Sequence, residues 1–221
     1  KEVKQLYKSA FPILEQVPLF LLYRKAKQHK IDFLAVLDDG KFVGLASAAM
    51  QGDVVILLYL AISDAVRGKG YGSAVLQAVQ KKYAGKRIIL NIEEMDEQAA
   101  NYAQRVKRKA FYQKNGFEIL DYKVREVSTT YDMMSCGGYV SKTEYEEVMA
   151  LYTGKVLYFI MKKSESAGGM ERTMMDYKLL MNTAILAGET MLKSGAETYR
   201  VEDTINRILK TSNAQTVETV V

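Results

Sequence analysis

The chain predicts an α/β (α+β) domain, a sheet flanked by helices, with a helical appendage at its C-terminal end. Three observations carry this. Short apolar runs alternate with amphipathic segments as far as about residue 163. One of those runs feeds directly into a glycine turn and a helix. Composition then changes after Ser164-Glu165-Ser166-Ala167-Gly168-Gly169, the only linker-like stretch. With 221 residues, one sizeable core and an appendage fit, but not two large cores. The expected boundaries are 1–163 for the sheet domain, 164–170 for a linker and 171–221 for the appendage.

The elements follow in order. Lys1 to Lys30 reads as helical, interrupted by Pro12 and Pro18, whose rings remove a backbone donor. Asp32–Leu37 and Lys41–Met50 read as strands joined at Asp38-Asp39-Gly40, a hairpin signal. Val54–Ile62 is continuously apolar, as expected of a strand buried on both faces. Tyr71–Tyr83 places Leu76, Val79 and Tyr83 on one helical side. Arg87–Glu93 is a further apolar strand. Asp96–Asn115 reads as a charged helix stopped at Asn115-Gly116. Phe117–Met134 supplies more strand. Ser141 with Glu144 three residues on forms a capping box for the next helix, and Lys155–Met161 reads as a last strand.

Composition excludes several function classes. One cysteine (Cys136) and one histidine (His29) exclude a disulfide framework, a Cys/His zinc cluster and most His-based triads, and no metal is expected. The longest uncharged apolar run is far shorter than a membrane span, so no membrane insertion is expected, and the cytoplasm is the expected compartment. A net charge of +5 is too small to indicate nucleic acid but suits an anionic small ligand. The chain opens on lysine, so a trimmed or missing front piece is expected.

The chemistry concentrates between Leu58 and Tyr83. A buried strand is followed by Arg67-Gly68-Lys69-Gly70-Tyr71-Gly72-Ser73 and then a helix. Such a turn aims several backbone N–H groups and a helix N-terminus at one point, which suits a phosphate or diphosphate. Glycines let the main chain approach the anion, while Arg67 and Lys69 add charge. A P-loop would need G-x-x-x-x-G-K-[ST], which is absent. A dinucleotide fingerprint starting at Gly68 would need glycine or alanine where Ser73 stands. The pattern Arg-x-x-Gly-x-Gly fits residue for residue. A tight strand-to-helix turn with surface charges remains the plainer alternative.

Two motifs in order resemble the GCN5-related N-acetyltransferase (GNAT) family. Arg67–Gly72 is similar to its acyl-CoA diphosphate motif, and Ala110-Phe111-Tyr112-Gln113-Lys114-Asn115-Gly116-Phe117 to its late helix-to-strand signature. The resemblance covers about residues 1–163. It implies a mixed, mostly antiparallel sheet whose first strand is missing here, and acetyl-CoA as co-substrate with no metal. The diphosphate would lie on Arg67, Gly68, Lys69, Gly70, Tyr71, Gly72 and Ser73, and the pantetheine arm along the main chain at Leu60 and Ile62. An amine would attack the thioester directly, with Glu93 or Glu94 as base and Tyr112 as the acid that protonates the leaving thiolate. Alternation allows only one of Glu93 and Glu94 to face the cleft.

The pattern departs from the family at one helix position. The place seven residues before the tyrosine, where many members carry asparagine, holds Arg105, and Asn101 lies one turn earlier as a candidate cofactor contact. The implied activity is N-acetyl transfer to a primary amine, on a small molecule or peptide, with a homodimer as one open assembly and no nucleic acid partner. The alternative is a non-catalytic acyl-CoA-binding or sensing module. In the appendage, Ser194-Gly195-Ala196-Glu197-Thr198-Tyr199-Arg200-Val201-Glu202-Asp203-Thr204 resembles the amino-terminal segment of the threonine/serine exporter family, over about 177–221. That reading implies a truncated exporter start, fused or joined by read-through, that transports nothing by itself.

Overall fold

A computed structural model describes residues 1–11, 15–17, 19–126 and 129–153, with scattered positions between 183 and 207. The chain divides into two compact units, Lys1–Ile160 and Met161–Val221. In the second, the described residues include helical positions at 187–188, 190–191 and 203–204, and Arg207 Nε lies 2.8 Å from Asp203 Oδ2 one turn away. The expected strand Lys155–Met161 and the expected linker 164–170 lie outside the described residues.

The first unit opens with helices α1 (Glu2–Ala10) and α2 (Leu19–Lys27). Strands β1 (Ile31–Asp38), β2 (Lys41–Gln51) and β3 (Val54–Ile62) follow as consecutive antiparallel neighbours. Asp39 and Gly40 take φ of +46° and +75°, as a two-residue hairpin turn requires. Helix α3 (Tyr71–Lys82) leads to β4 (Arg87–Glu93), helix α4 (Tyr102–Lys114), strands β5 (Glu118–Glu126) and β6 (Thr129–Cys136), and helix α5 (Lys142–Thr153). The six strands lie in the order β1-β2-β3-β4-β6-β5, and only β3 and β4 run parallel.

Two apolar layers hold the sheet. One face packs Leu6 and Tyr7 of α1, Leu22 of α2 and Tyr145 and Val148 of α5 on Leu45, Ile56, Tyr59 and Ile89. The other packs Val75, Leu76 and Val79 of α3 on Ala46, Ala48, Val55 and Leu57, with Phe111 and Tyr112 of α4 alongside. The capping box at α5 forms: Ser141 N–H donates to Glu144 Oε2 at 2.9 Å, and Glu144 N–H to Ser141 Oγ at 3.3 Å. Glu144 also accepts Arg87 Nη2 at 2.6 Å.

Two expected boundaries change. Helix α4 begins at Tyr102 rather than Asp96, because Asp96 Oδ1 accepts the Gln98 N–H at 2.9 Å and turns the chain locally. Phe117–Met134 is two strands, the second reaching Cys136, which is thus a strand-end thiol. None of the helices among the described residues is long and apolar enough to cross a membrane.

Candidate active site

The parallel pair β3/β4 is joined only at Val54–Ile56 against Arg87–Ile89. Beyond that, β3 stays with β2 as far as Ile62, and β4 stays with β6 as far as Glu93, so the two strands part and leave a cleft. A bulge contributes to the geometry: Ser47 faces Tyr59 and Ala48 faces Leu57, leaving Leu58 as the extra residue in β3. The bulge shifts the alternation, so Tyr59 and Ala61 join one core while Leu60 and Ile62 pack toward the other.

The main chain at the cleft edge follows from the ladder. Ser63 N–H donates to Val43 O at 2.9 Å, so Ala61 also turns its peptide groups to β2. Leu60 and Ile62 therefore turn theirs toward β4, across the cleft. On that side Arg67 Nε donates to Ile62 O at 3.3 Å, while Arg67 Nη1 sits 2.7 Å from Asp64 Oδ1.

The turn before α3 has the conformation its glycines permit. Gly68 and Gly70 take φ of +77° and +83°, and a Cβ at either would meet open space. Ala74 N–H makes the first intrahelical bond, to Gly70 O at 3.2 Å, so the amides of Tyr71, Gly72 and Ser73 precede it with no partner inside the helix. These donors and the open space fit an anionic diphosphate; Lys69 is exposed beside them. Gly72 has another reason to be glycine: a Cβ there would lie 3.2 Å from the Phe111 ring, which packs α4 onto the turn. Tyr71 O–H donates to Asp38 Oδ2 at 2.6 Å and ties the turn to the β1–β2 hairpin.

Across the cleft, Glu93 is fully engaged. Asn101 Nδ2 donates to its Oε1 at 2.9 Å, Arg105 Nη2 lies 3.3 Å from the same oxygen, and Arg108 Nη1 donates to Oε2 at 2.8 Å. Asn101, the residue just before α4, spends both ends of its amide here, because Oδ1 accepts Arg105 Nε at 2.8 Å. Glu94 follows the strand end and pairs through Oε1 with Lys123, whose ammonium is held above its usual range by that hydrogen bond. Lys123 also lies 3.5 Å from Asp132 Oδ1.

Tyr112 lies on the same α4 face as Asn101, Arg105 and Arg108, at spacings of four, three and four. Its ring makes edge contacts with Phe111 and Phe117 at centroid distances of 5.1 and 5.7 Å. Burial raises its pKa above the ordinary tyrosine value, with Arg108 opposing, so the phenol is protonated at neutral pH.

Splayed strands, a glycine turn at a helix start and a late tyrosine coincide with one family. Residues 29–119 match the model of the acetyltransferase (GNAT) domain. The match covers 91 of the 221 residues, all of them in the sheet unit. Residues 182–221 match the model of the threonine/serine exporter family. No curated protein matches the chain. Among solved structures, the chain is similar to a protein of Bacteroides thetaiotaomicron assigned to the GNAT acetyltransferase family, with 21% identity, TM-score 0.57, and coverage of 69% of this chain and 89% of that one. The aminoglycoside 6'-N-acetyltransferase of Enterococcus faecium aligns at 16% identity and TM-score 0.47, over 61% of this chain and 87% of its own. The PaiA N-acetyltransferase of Thermoplasma acidophilum, solved with coenzyme A, aligns at 21% identity and TM-score 0.40, over 53% and 67%. At 21% identity the likeness to the Bacteroides thetaiotaomicron protein concerns the fold.

Reasoning from sequence missed the Glu93 clamp and the Phe111–Gly72 contact. The clamp had one legible trace, the regular spacing of Asn101, Arg105, Arg108 and Tyr112 on one helix face.

Proposed function

We propose that the sheet unit transfers an acetyl group from acetyl-CoA to a primary amine. The observation that carries the reading is the parting of β3 and β4 after Ile56 and Ile89, with the glycine turn following the end of β3 in the chain. Acetyl-CoA supplies the acyl group as an activated thioester. Residues Arg67 to Ser73 bind its diphosphate through main-chain amides and two cations. The outward peptide groups of Leu60 and Ile62 orient the pantetheine arm as a neighbouring strand would.

Tyr112 serves as proton donor to the departing sulfur, a role supported by its protonated phenol and its place on α4. Of the two glutamates, Glu94 suits the base better, directly or through water. Both oxygens of Glu93 already accept hydrogen bonds, whereas Lys123 pairs with Glu94 through Oε1 alone. Glu93 then orders the helix that carries Tyr112. Acceptors of either kind, small molecules or peptides, fit the reading.

The test is release of CoA thiol from acetyl-CoA across a panel of amino acids, polyamines, aminoglycosides and peptide amines. Turnover with one class, lost in Tyr112→Phe and reduced in Glu94→Gln, supports the reading. Binding of acetyl-CoA without turnover on the whole panel transfers the domain to the non-catalytic, acyl-CoA-sensing alternative, and absence of binding removes both.

A further inference from the structure

The face of α4 that ends in Tyr112 begins in a closed ring of side chains. Arg105 uses all three nitrogens of its guanidinium. Nε donates to Asn101 Oδ1 at 2.8 Å, Nη1 donates to the carbonyl oxygen of Glu94 at 2.7 Å, and Nη2 lies 3.3 Å from Glu93 Oε1. Asn101 Nδ2 closes the ring on that same oxygen at 2.9 Å. The side chains of Arg105 and Glu93 are only 16% and 20% exposed, so little water competes for these bonds. The bond to the Glu94 carbonyl differs in kind from the others, since it grips main chain. It acts where β4 has left β3 and its last residue, Glu93, pairs only with Tyr131 of β6.

We propose that Arg105 is a positioning residue for acetyl transfer. It fastens the end of β4 to α4 and so sets both the width of the cleft and the place of Tyr112, two turns further along the same face, without touching either substrate. The inference rests on the acetyl-transfer reading above. The planar fork is essential to it: a lysine at this place keeps the charge opposite Glu93 but offers one point donor in place of three fixed directions. A misplacement of the acid by a fraction of an ångström lowers turnover, whereas the diphosphate turn on the far side of the cleft is unaffected.

The experiment compares the parent protein with Arg105→Lys, using acetyl-CoA and the best amine of the panel, with the folded fraction followed by circular dichroism. Arg105→Lys should lower kcat about tenfold at equal folded fraction, with KM for acetyl-CoA within about twofold. Combined with Glu93→Gln it should cost less than the product of the two single losses, because both side chains belong to one ring of bonds. A kcat equal to the parent's, or a loss that merely follows unfolding, overturns the proposal. Amide hydrogen exchange adds a second arm. Glu94 N–H, bonded to Thr130 O at 3.0 Å, should exchange faster in Arg105→Lys than in the parent at equal folded fraction, and equal rates overturn the clamp. A parent that neither binds nor turns over acetyl-CoA removes the acetyl-transfer reading instead, while an active parent matched by Arg105→Lys removes only this inference.

Discussion

A methyl group on Gly44 tests how rigidly the cleft edge is built. Gly44 lies in β2 opposite Ile62, and a Cβ there would come within 2.5 Å of Ala61 O and 3.0 Å of the Ile62 side chain. The nearer atom is backbone, so no rotamer change relieves it. Reaching an ordinary contact of about 3.4 Å requires close to 0.9 Å of movement between β2 and the end of β3. Overpacking of this kind costs about 1–3 kcal/mol. In a unit of this size, each kcal/mol lowers the melting temperature by about 2–4 °C. The same shift moves the peptide groups of Leu60 and Ile62, which border the cleft. Displacements near 1 Å at a reacting centre can cost about a hundredfold in rate. Gly44→Ala should therefore melt several degrees lower and lose acetyl-transfer kcat/KM well beyond its loss of folded protein. Scanning calorimetry and the thiol-release assay read the two effects. A variant with parental melting temperature and parental kcat/KM would refute the claim that β3 is held tightly against β2 at the cleft.

Three further outcomes follow from particular contacts. Glu144 is held down to about pKa 2, first by its hydrogen bond to Arg87 and then by those from Ser141. Its folded pKa lies below the unfolded one, so its contribution is complete above about pH 4.3 and fades as pH falls toward 2. With the carboxylate partly open to solvent, that contribution is about 1 kcal/mol; urea titrations should show Glu144→Gln less stable at neutral pH, with the gap closing in acid. Tyr7 is 1% exposed, and its hydroxyl both donates to Val17 O at 2.9 Å and accepts Val17 N–H at 2.8 Å. Tyr7→Phe strands the Val17 carbonyl and leaves the Val17 N–H with only the Tyr59 hydroxyl at 3.4 Å, and it should cost about 1–2 kcal/mol in equilibrium unfolding, whereas an unchanged midpoint would mean Val17 is anchored elsewhere. Because burial raises the Tyr112 pKa, activity that needs its proton should persist to about pH 10, and a basic limb falling near neutrality would exclude it as the acid.

Much of the sheet unit was legible in the residues because its signals are local. The apolar run Val54–Ile62 and Arg87–Glu93 became strands at those limits, and the Asp39-Gly40 turn and the Ser141/Glu144 box formed as their chemistry requires. The glycine turn was legible too, since positive φ at Gly68 and Gly70 is a property of each residue's own backbone. Helix α4 was read too long because a single Asp96 side-chain bond outcompeted a favourable helical pattern.

Sequence alone thus determined the order of elements, the place of the glycine turn and the resemblance that directs attention to Tyr112. Tertiary structure decided where β3 and β4 part, which side of β3 turns its peptide groups outward after the Leu58 bulge, and how Glu93 is spent on Asn101, Arg105 and Arg108. The reason is one of range. Helix caps, turns and strand runs are set by neighbours in the chain, but the width of a cleft and the partners of a carboxylate depend on residues from separate elements that meet only when the sheet and helices pack.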